Sequence, residues 1–308
     1  MATKTAKKPQ IKPNFKPKQV VKKLLLSLPA RARDIVTKRY GLGTDTKPMT
    51  LEAIGKKYGI TRERVRQIDE YSLNNIRKSK EYKTETTTFE ELKGILRKLG
   101  GIIAHQELME AFGTESSMQN HIHFLLILGE QFTKEKEDAN FRHRWHIDGT
   151  LSKNVQGALE KLYASLDDNE LVPEGELVKN FLEYVKDLND EYKNDEIIKR
   201  WLNVSHKIGK NPLGEWGKTS SQNVKAKGIR DYAYLVIRKH GSPIHFRDVA
   251  RAITTFFNKR AHVATTHNEL IKDARFVLVG RGLYALKECG YAPGVVKDVI
   301  VSIIEKNG

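Results

Sequence analysis

Residues 58–70, YGITRERVRQIDE, set three arginines, two glutamates and a glutamine around the apolar positions Val65 and Ile68, just past a Tyr58-Gly59 step. The fold turns on whether this is a solvated charged helix or the outer half of a bent helical pair. With Leu51 opening a helix-turn-helix frame, Ile54 and Tyr58 fall on the inner face of the first helix. Gly55 sits where the second helix crosses closely, and Gly59 sits at a turn that needs a left-handed backbone. Ile60, Val65 and Ile68 then point inward. Thr50 and Thr61 precede the two helical runs and suit N-caps, because a side-chain oxygen there satisfies a first-turn N–H.

The frame leaves Arg62, Glu63, Arg64, Arg66 and Gln67 exposed on the N-terminal part of the second helix, the part that enters a major groove. Their chemistry agrees with their position. Arginine forks onto guanine, glutamine onto adenine, and glutamate accepts from the cytosine amino group. The competing expectation is a solvated helix with internal pairs such as Arg62 with Asp69, or Glu63 with Gln67.

Upstream, VVKKLLLSL (20–28) and PARARDIVTKRYGL (29–42) read as helices, with Pro29 suited to a first turn and Gly41 to an end. Residues 19–80 therefore form one helical domain. Residues 1–18 alternate Lys, Pro and polar groups and read as a disordered basic arm, and EYKTETTT (81–88) reads as a polar linker.

Charge is concentrated in the same region. Residues 1–80 hold 21 Lys and Arg against 6 Asp and Glu, a net +15 of the +16 total, and the other 228 residues hold 33 against 32. A clustered basic field points to a polyanion, most often nucleic acid.

SLPARARDIVTKRYGL followed by MTLEAIGKKYGITRERVRQIDEYSLNNIRKS resembles region 4 of sigma-70 type bacterial RNA polymerase sigma factors, over about 60 residues. The resemblance implies a domain that reads the upstream, −35-type promoter element in double-stranded DNA and docks on the flap of the polymerase beta subunit. It implies Arg62, Glu63 and Gln67 as base readers, with Thr61, Arg64 and Arg66 on phosphates or supporting the helix. Asn74 and Asn75 stand where the family usually carries charge. About 19 residues precede the module, so a full sigma core is not expected.

Beyond the linker a weak repeat emerges. LKGILRKLGGIIAHQELMEAF (92–112), LEKLYASLDDNELVPEGELVKNF (159–181) and AYLVIRKHGSPIHFRDVARAI (233–253) each give an apolar helix, a turn, a short apolar step and a second helix. A third helix and a hairpin-like tail follow each. Helix, helix, helix, two strands is the winged-helix order. The expected fold is mainly α: the helix-turn-helix, then tandem winged helices at 89–149, 150–225 and 226–290, then a helix at 291–308.

Within the last repeat, GSPIHFRDVA (241–250) and NELIKDARFVLVGRGLYAL (268–286) are similar to the HARE-type winged-helix domain, known from the RNA polymerase delta subunit, restriction-linked proteins and chromatin factors. Thr265, Thr266, His267 and Asn268 would lie early on its third helix and Arg281 at the wing tip, as secondary DNA or protein contacts. Near-zero net charge after residue 80 favours protein contacts or weak DNA contact.

Other chemistry is not expected. The histidines of HIH (121–123) and RHRWH (142–146) lack a third ligand at a recognisable interval, so no metal is implied. No phosphate-cradling loop, cofactor motif or nucleophile–base pairing is legible, so an enzyme is not expected. Trp145, Trp201 and Trp216 read as core anchors. The single cysteine, Cys289, excludes an intramolecular disulfide, and no apolar run reaches a membrane span. A cytoplasmic, nucleoid-associated protein is expected. The leading expectation is a sequence-specific DNA-binding protein of bacterial transcription. Two others are a polymerase accessory subunit acting through protein contacts and a nuclease component, and the lack of an acidic metal motif weighs against the latter.

Overall fold

The computed structural model describes residues 10–291, and fourteen α-helices and eight short strands lie among them. These residues divide into two compact units: 10–161 with 181–206, and 162–180 with 207–291.

The first unit opens with α1 (Pro17–Leu25), α2 (Ala30–Tyr40), α3 (Leu51–Tyr58) and α4 (Arg62–Lys78). Pro17 starts α1 at a position whose N–H would have no helical partner. Gly41, at φ 64°, turns the chain off α2. The polar stretch 81–88 is helical rather than a linker: α5 (Lys80–Thr84) and α6 (Thr86–Lys98) follow α4 almost directly. Ser79 makes this possible, since its Oγ accepts the Tyr82 N–H at 3.1 Å and caps α5.

After α6 come β1 (Ile102–Ala104), α7 (His105–Ala111), α8 (Ser116–Leu128), β2 (Thr133–Glu135) and β3 (Arg144–His146), and α9 (Gly149–Ser165) leads out. Strand β3 lies between β1 and β2, antiparallel to both, with Trp145 opposite Ile103 on one side and Lys134 on the other.

The basic arm is ordered where it is described. Residues 10–16 form an irregular stretch with a bend at Asn14 and Phe15, the Ile11 N–H donates to the Ala111 carbonyl at 2.7 Å, and Ile11 and Phe15 pack on the core. Two apolar side chains among the lysines give this stretch a reason to dock. Residues 1–9 lie outside the described residues.

One core runs through the helical domain and the first repeat. Val21, Leu24, Leu28 and Ile76 pack with Phe89, Leu92, Leu96, Phe124, Leu125 and Trp145. Helix α8 carries HIHFLLIL, which is apolar all round, and such a helix needs burial on every side. It packs on α1 with further contact to α2 and α4, and no residue from 117 to 128 is exposed. The third helix of the first repeat is thus consumed as an internal support.

The middle repeat is divided between the units, with residues 150–161 and 181–206 in the first and 162–180 and 207–225 in the second. Its helices are α9, α10 (Glu174–Tyr184) and α11 (Asp195–Leu202), and its hairpin is β4 (Ile208–Lys210) with β5 (Trp216–Lys218). Trp201 is wholly buried in the first unit, its indole N–H donating to the Gly100 carbonyl at 2.9 Å. Trp145 and Trp216 are also buried.

The second unit continues with α12 (Ile229–His240), β6 (Ile244–His245), α13 (Phe246–Phe257), α14 (Val263–Lys272), β7 (Phe276–Gly280) and β8 (Leu283–Leu286). Strand β8 lies between β6 and β7, so the third strand of the repeat pairs with its first, as β3 does with β1. Leu235, Val249, Ile253, Leu270 and Leu286 form its core. The helix expected at 291–308 falls almost wholly outside the described residues.

Candidate nucleic-acid interface

The bend between α3 and α4 follows from four residues, two threonines and two glycines. Thr50 Oγ1 accepts the Ala53 N–H and Thr61 Oγ1 the Arg64 N–H, each at 3.1 Å, so both helices are capped. Gly59 takes φ 63° and the Ile60 N–H closes on the Gly55 carbonyl at 3.0 Å. A Cβ on Gly55 would stand 2.6 Å from the Ile60 carbonyl oxygen, so the close crossing requires a bare Cα. Ile35, Ile54 and Val65 are fully buried beneath, with Leu51, Tyr58, Ile60 and Ile68 around them. Tyr58 is half-buried, and its hydroxyl donates to Asp34 on α2.

Thr61, Arg62, Glu63, Arg64, Arg66 and Gln67 are all exposed. Their bonding differs. Arg62 has no hydrogen bond or ion pair among the described residues, and Arg64 Nη1 donates to Gln67 Oε1 at 3.1 Å. Arg66 donates from Nη2 to Glu63 Oε1 at 2.7 Å and also pairs with Glu70. The Arg66 hydrogen bond holds the Glu63 carboxyl below its usual range, and Glu63 raises Arg66 in turn. Glu63 is therefore satisfied by Arg66 and by Gln67, the second an internal pair expected of a solvated helix, whereas Arg62 and Arg64 keep free donors toward solvent. Asp69, a conceivable partner for Arg62, is taken by the Tyr40 hydroxyl at 3.1 Å. Burial raises the Asp69 carboxyl, and burial together with Asp69 raises the Tyr40 phenol.

The rear of α4 is fixed to the first repeat by groups the sequence did not flag. Arg77 donates to the carbonyls of Leu128 at 3.1 Å and Ile127 at 2.8 Å, capping the end of α8 with a cation. Asn120 donates to the carbonyls of Gly41 at 3.0 Å and Thr46 at 2.7 Å, which sets the loop that leads into α3.

Behind α2, three histidines from distant positions meet. His105 stacks on His143 at 4.5 Å and meets His123 edge-on at 5.1 Å, and the Trp145 indole donates to His105 Nδ1 at 3.0 Å. Burial lowers His105 to about 4 and His123 to about 3. Lys134 adds its charge to the same cluster, which repels any cation. Among the described residues no group of three or more potential ligands could hold a metal ion.

The second set of candidates separates. Thr265 and Asn268 are exposed on α14 and Arg281 is exposed at the hairpin tip. Thr266 is fully buried, its hydroxyl donating to the His262 carbonyl at 3.0 Å. His267 stacks on Phe246 at 4.2 Å with its edge toward Tyr284. Helical periodicity turns both inward, which four consecutive candidates could not have escaped.

Two capped helices, a left-handed glycine turn, an apolar underside and a polar outer row define α3 and α4 as a helix-turn-helix. Residues 24–78 match the family Sigma-70, region 4. The chain is similar to the RNA polymerase sigma factor SigA of Nostoc sp. (strain PCC 7120 / SAG 25.82 / UTEX 2576), 46% identical over 57 residues, which are 18% of this chain and 14% of that protein. The chain thus matches about one-seventh of that relative's length. Among the described residues no helix is long and apolar enough to cross a membrane.

Proposed function

We propose that the protein is a sequence-specific DNA-binding protein of bacterial transcription, with α4 in the major groove of a promoter-like, −35-type element. The observation that carries this is the outer row of α4: Arg62 is unpaired and Gln67 is held in place by Arg64, while Val65 seats the opposite side on the core. Arg62 and Gln67 act as base readers. Thr61 and Arg64 lie at the helix start, where backbone N–H groups and a guanidinium favour a phosphate. Arg66 and Glu63 reach bases or phosphates by exchanging their mutual ion pair for contacts with DNA. The three later repeats are winged helices, the first a scaffold for α4 and the last a candidate contact surface. Catalysis has no part in this reading.

The likeness to a sigma factor also supports a second reading, an accessory subunit of RNA polymerase that binds protein first and DNA second. Footprinting of the intact protein across a genome, with and without polymerase, separates the two. Protection of discrete sites by the protein alone supports the first. Co-purification with polymerase and no footprint in isolation supports the second.

A further inference from the structure

The near-neutral balance after residue 80 is the sum of two opposed regions. Residues 81–206 hold 15 Lys and Arg against 24 Asp and Glu, a net −9, whereas residues 207–291 hold 16 against 6, a net +10. The second unit's last repeat therefore lies in a strongly basic segment.

Its acids are largely used internally. Asp231 and Asp273 both pair with Arg275, at 3.2 and 2.6 Å. Glu215 and Glu288 both pair with Arg238, and Asp248 pairs with Arg251 at 3.0 Å. Five carboxylates are thus held by three arginines. Lys239, Arg247, Lys259, Arg260, Lys272 and Arg281 are exposed and have no acid partner among the described residues.

Part of this charge is gathered by packing. The Phe246 N–H donates to the Gly282 carbonyl at 3.0 Å, so the hairpin tip that carries Arg281 rests on the start of α13. Arg247 follows there, its guanidinium over the Phe246 ring, and that ring stacks on His267 of α14. Gly282 takes φ 75°, and a Cβ there would stand 2.7 Å from His245 Nε2, so the tip cannot lift away without losing this seat. Arg247 and Arg281 are thus held beside each other, α14 is docked alongside through the Phe246–His267 stack, and Thr265 and Asn268 are exposed on that helix.

We propose that this surface binds the phosphate backbone of duplex DNA without reading sequence, in addition to α4. Unpaired guanidiniums beside exposed hydroxyl and amide groups are the chemistry of backbone contact, and such contacts displace condensed counterions. The assignment does not depend on whether α4 reads bases.

The test is binding of the full chain to a duplex of arbitrary sequence by fluorescence anisotropy over a range of salt, in an Arg62→Ala/Gln67→Ala background. Adding Arg247→Ala/Arg281→Ala should flatten the plot of log affinity against log salt by about 1.8, two phosphate contacts' worth. Arg251→Ala, which removes a guanidinium already paired with Asp248, should leave the slope within error. An unchanged slope in the Arg247/Arg281 variant overturns the proposal and leaves an acidic protein as the better partner. An equal loss with Arg251→Ala overturns it too, since the effect would then be bulk charge. In the wild-type background the same double variant keeps its preference among sequences, whereas the α4 variants lose theirs, so failure of one reading is distinguishable from failure of the other.

Discussion

Gly55 and Gly59 are four residues apart and serve opposite needs. Gly59 has open space around the missing Cβ and pays only for its left-handed backbone, so Gly59→Ala should cost about 1–2 kcal/mol. Gly55 has an allowed backbone and no space, so Gly55→Ala pushes the turn off α3 and should cost about 1–3 kcal/mol and misplace α4. Thermal unfolding combined with specific-site affinity checks the pair. Gly59→Ala should lower the melting temperature and leave affinity nearly intact at low temperature, whereas Gly55→Ala should lower both. Equal loss of affinity in the two would contradict the separate roles.

The histidine cluster gives the residue scale a pH signature. His105 and His123 titrate at about 4 and about 3 in the folded state, against about 6.5 in an unfolded chain. Folding therefore favours their neutral forms. That stability is fully present above pH 6.5 and is lost as pH falls through the folded values. Asp69 titrates in the opposite sense because burial raises it, so the informative quantity is a difference. The stability gap between His123→Phe and wild type, followed by denaturant unfolding, should shift in the variant's favour between pH 6.5 and 4. A gap independent of pH would show that His123 protonates as easily folded as unfolded.

At the scale of elements, α8 decides how much freedom the helix-turn-helix has. It is buried against α1, α2 and α4, and Arg77 and Asn120 tie its two ends to α4 and to the loop before α3. Arg77→Ala leaves the last carbonyls of α8 without their charged donor and should cost roughly 1.5–3 kcal/mol. The loss should appear as faster amide exchange in both α4 and α8. Faster exchange confined to α8 would mean that the two do not move together. The helix pair itself was legible in the sequence because Thr50, Gly55, Gly59, Thr61 and Val65 each impose a local requirement at fixed spacing. The role of α8 was not, because an all-round apolar helix states that it is buried without naming what buries it. The burial of Thr266 was illegible for a related reason: a run of four helical residues covers more than one face, and only packing tells which side is out. Residues 81–88 read as a linker because their polarity hid the cap that Ser79 supplies.

Considered whole, the chain carries its charge in three blocks, basic, acidic and basic, and a single net value conceals the last two. The helix-turn-helix has its own small core around Ile35, Ile54 and Val65, and the rear of α4 joins the core of the following repeat through Ile76, so it is built as part of a larger body rather than as a tethered bead. In the first and last repeats three helices accompany a three-stranded sheet whose third strand is central, so the same order of elements recurs in both. The middle copy, weakest in sequence, is also the one whose residues divide between two units.

The account rests on α4 lying with Arg62 and Gln67 against base edges. Its most direct measurement is the affinity of wild type, Arg62→Ala and Gln67→Ala for a footprinted site and for a panel carrying every single base-pair change. Each variant should lose roughly 1–3 kcal/mol of discrimination at one base pair and keep wild-type preferences elsewhere. Variants that rank the whole panel as wild type does would contradict it.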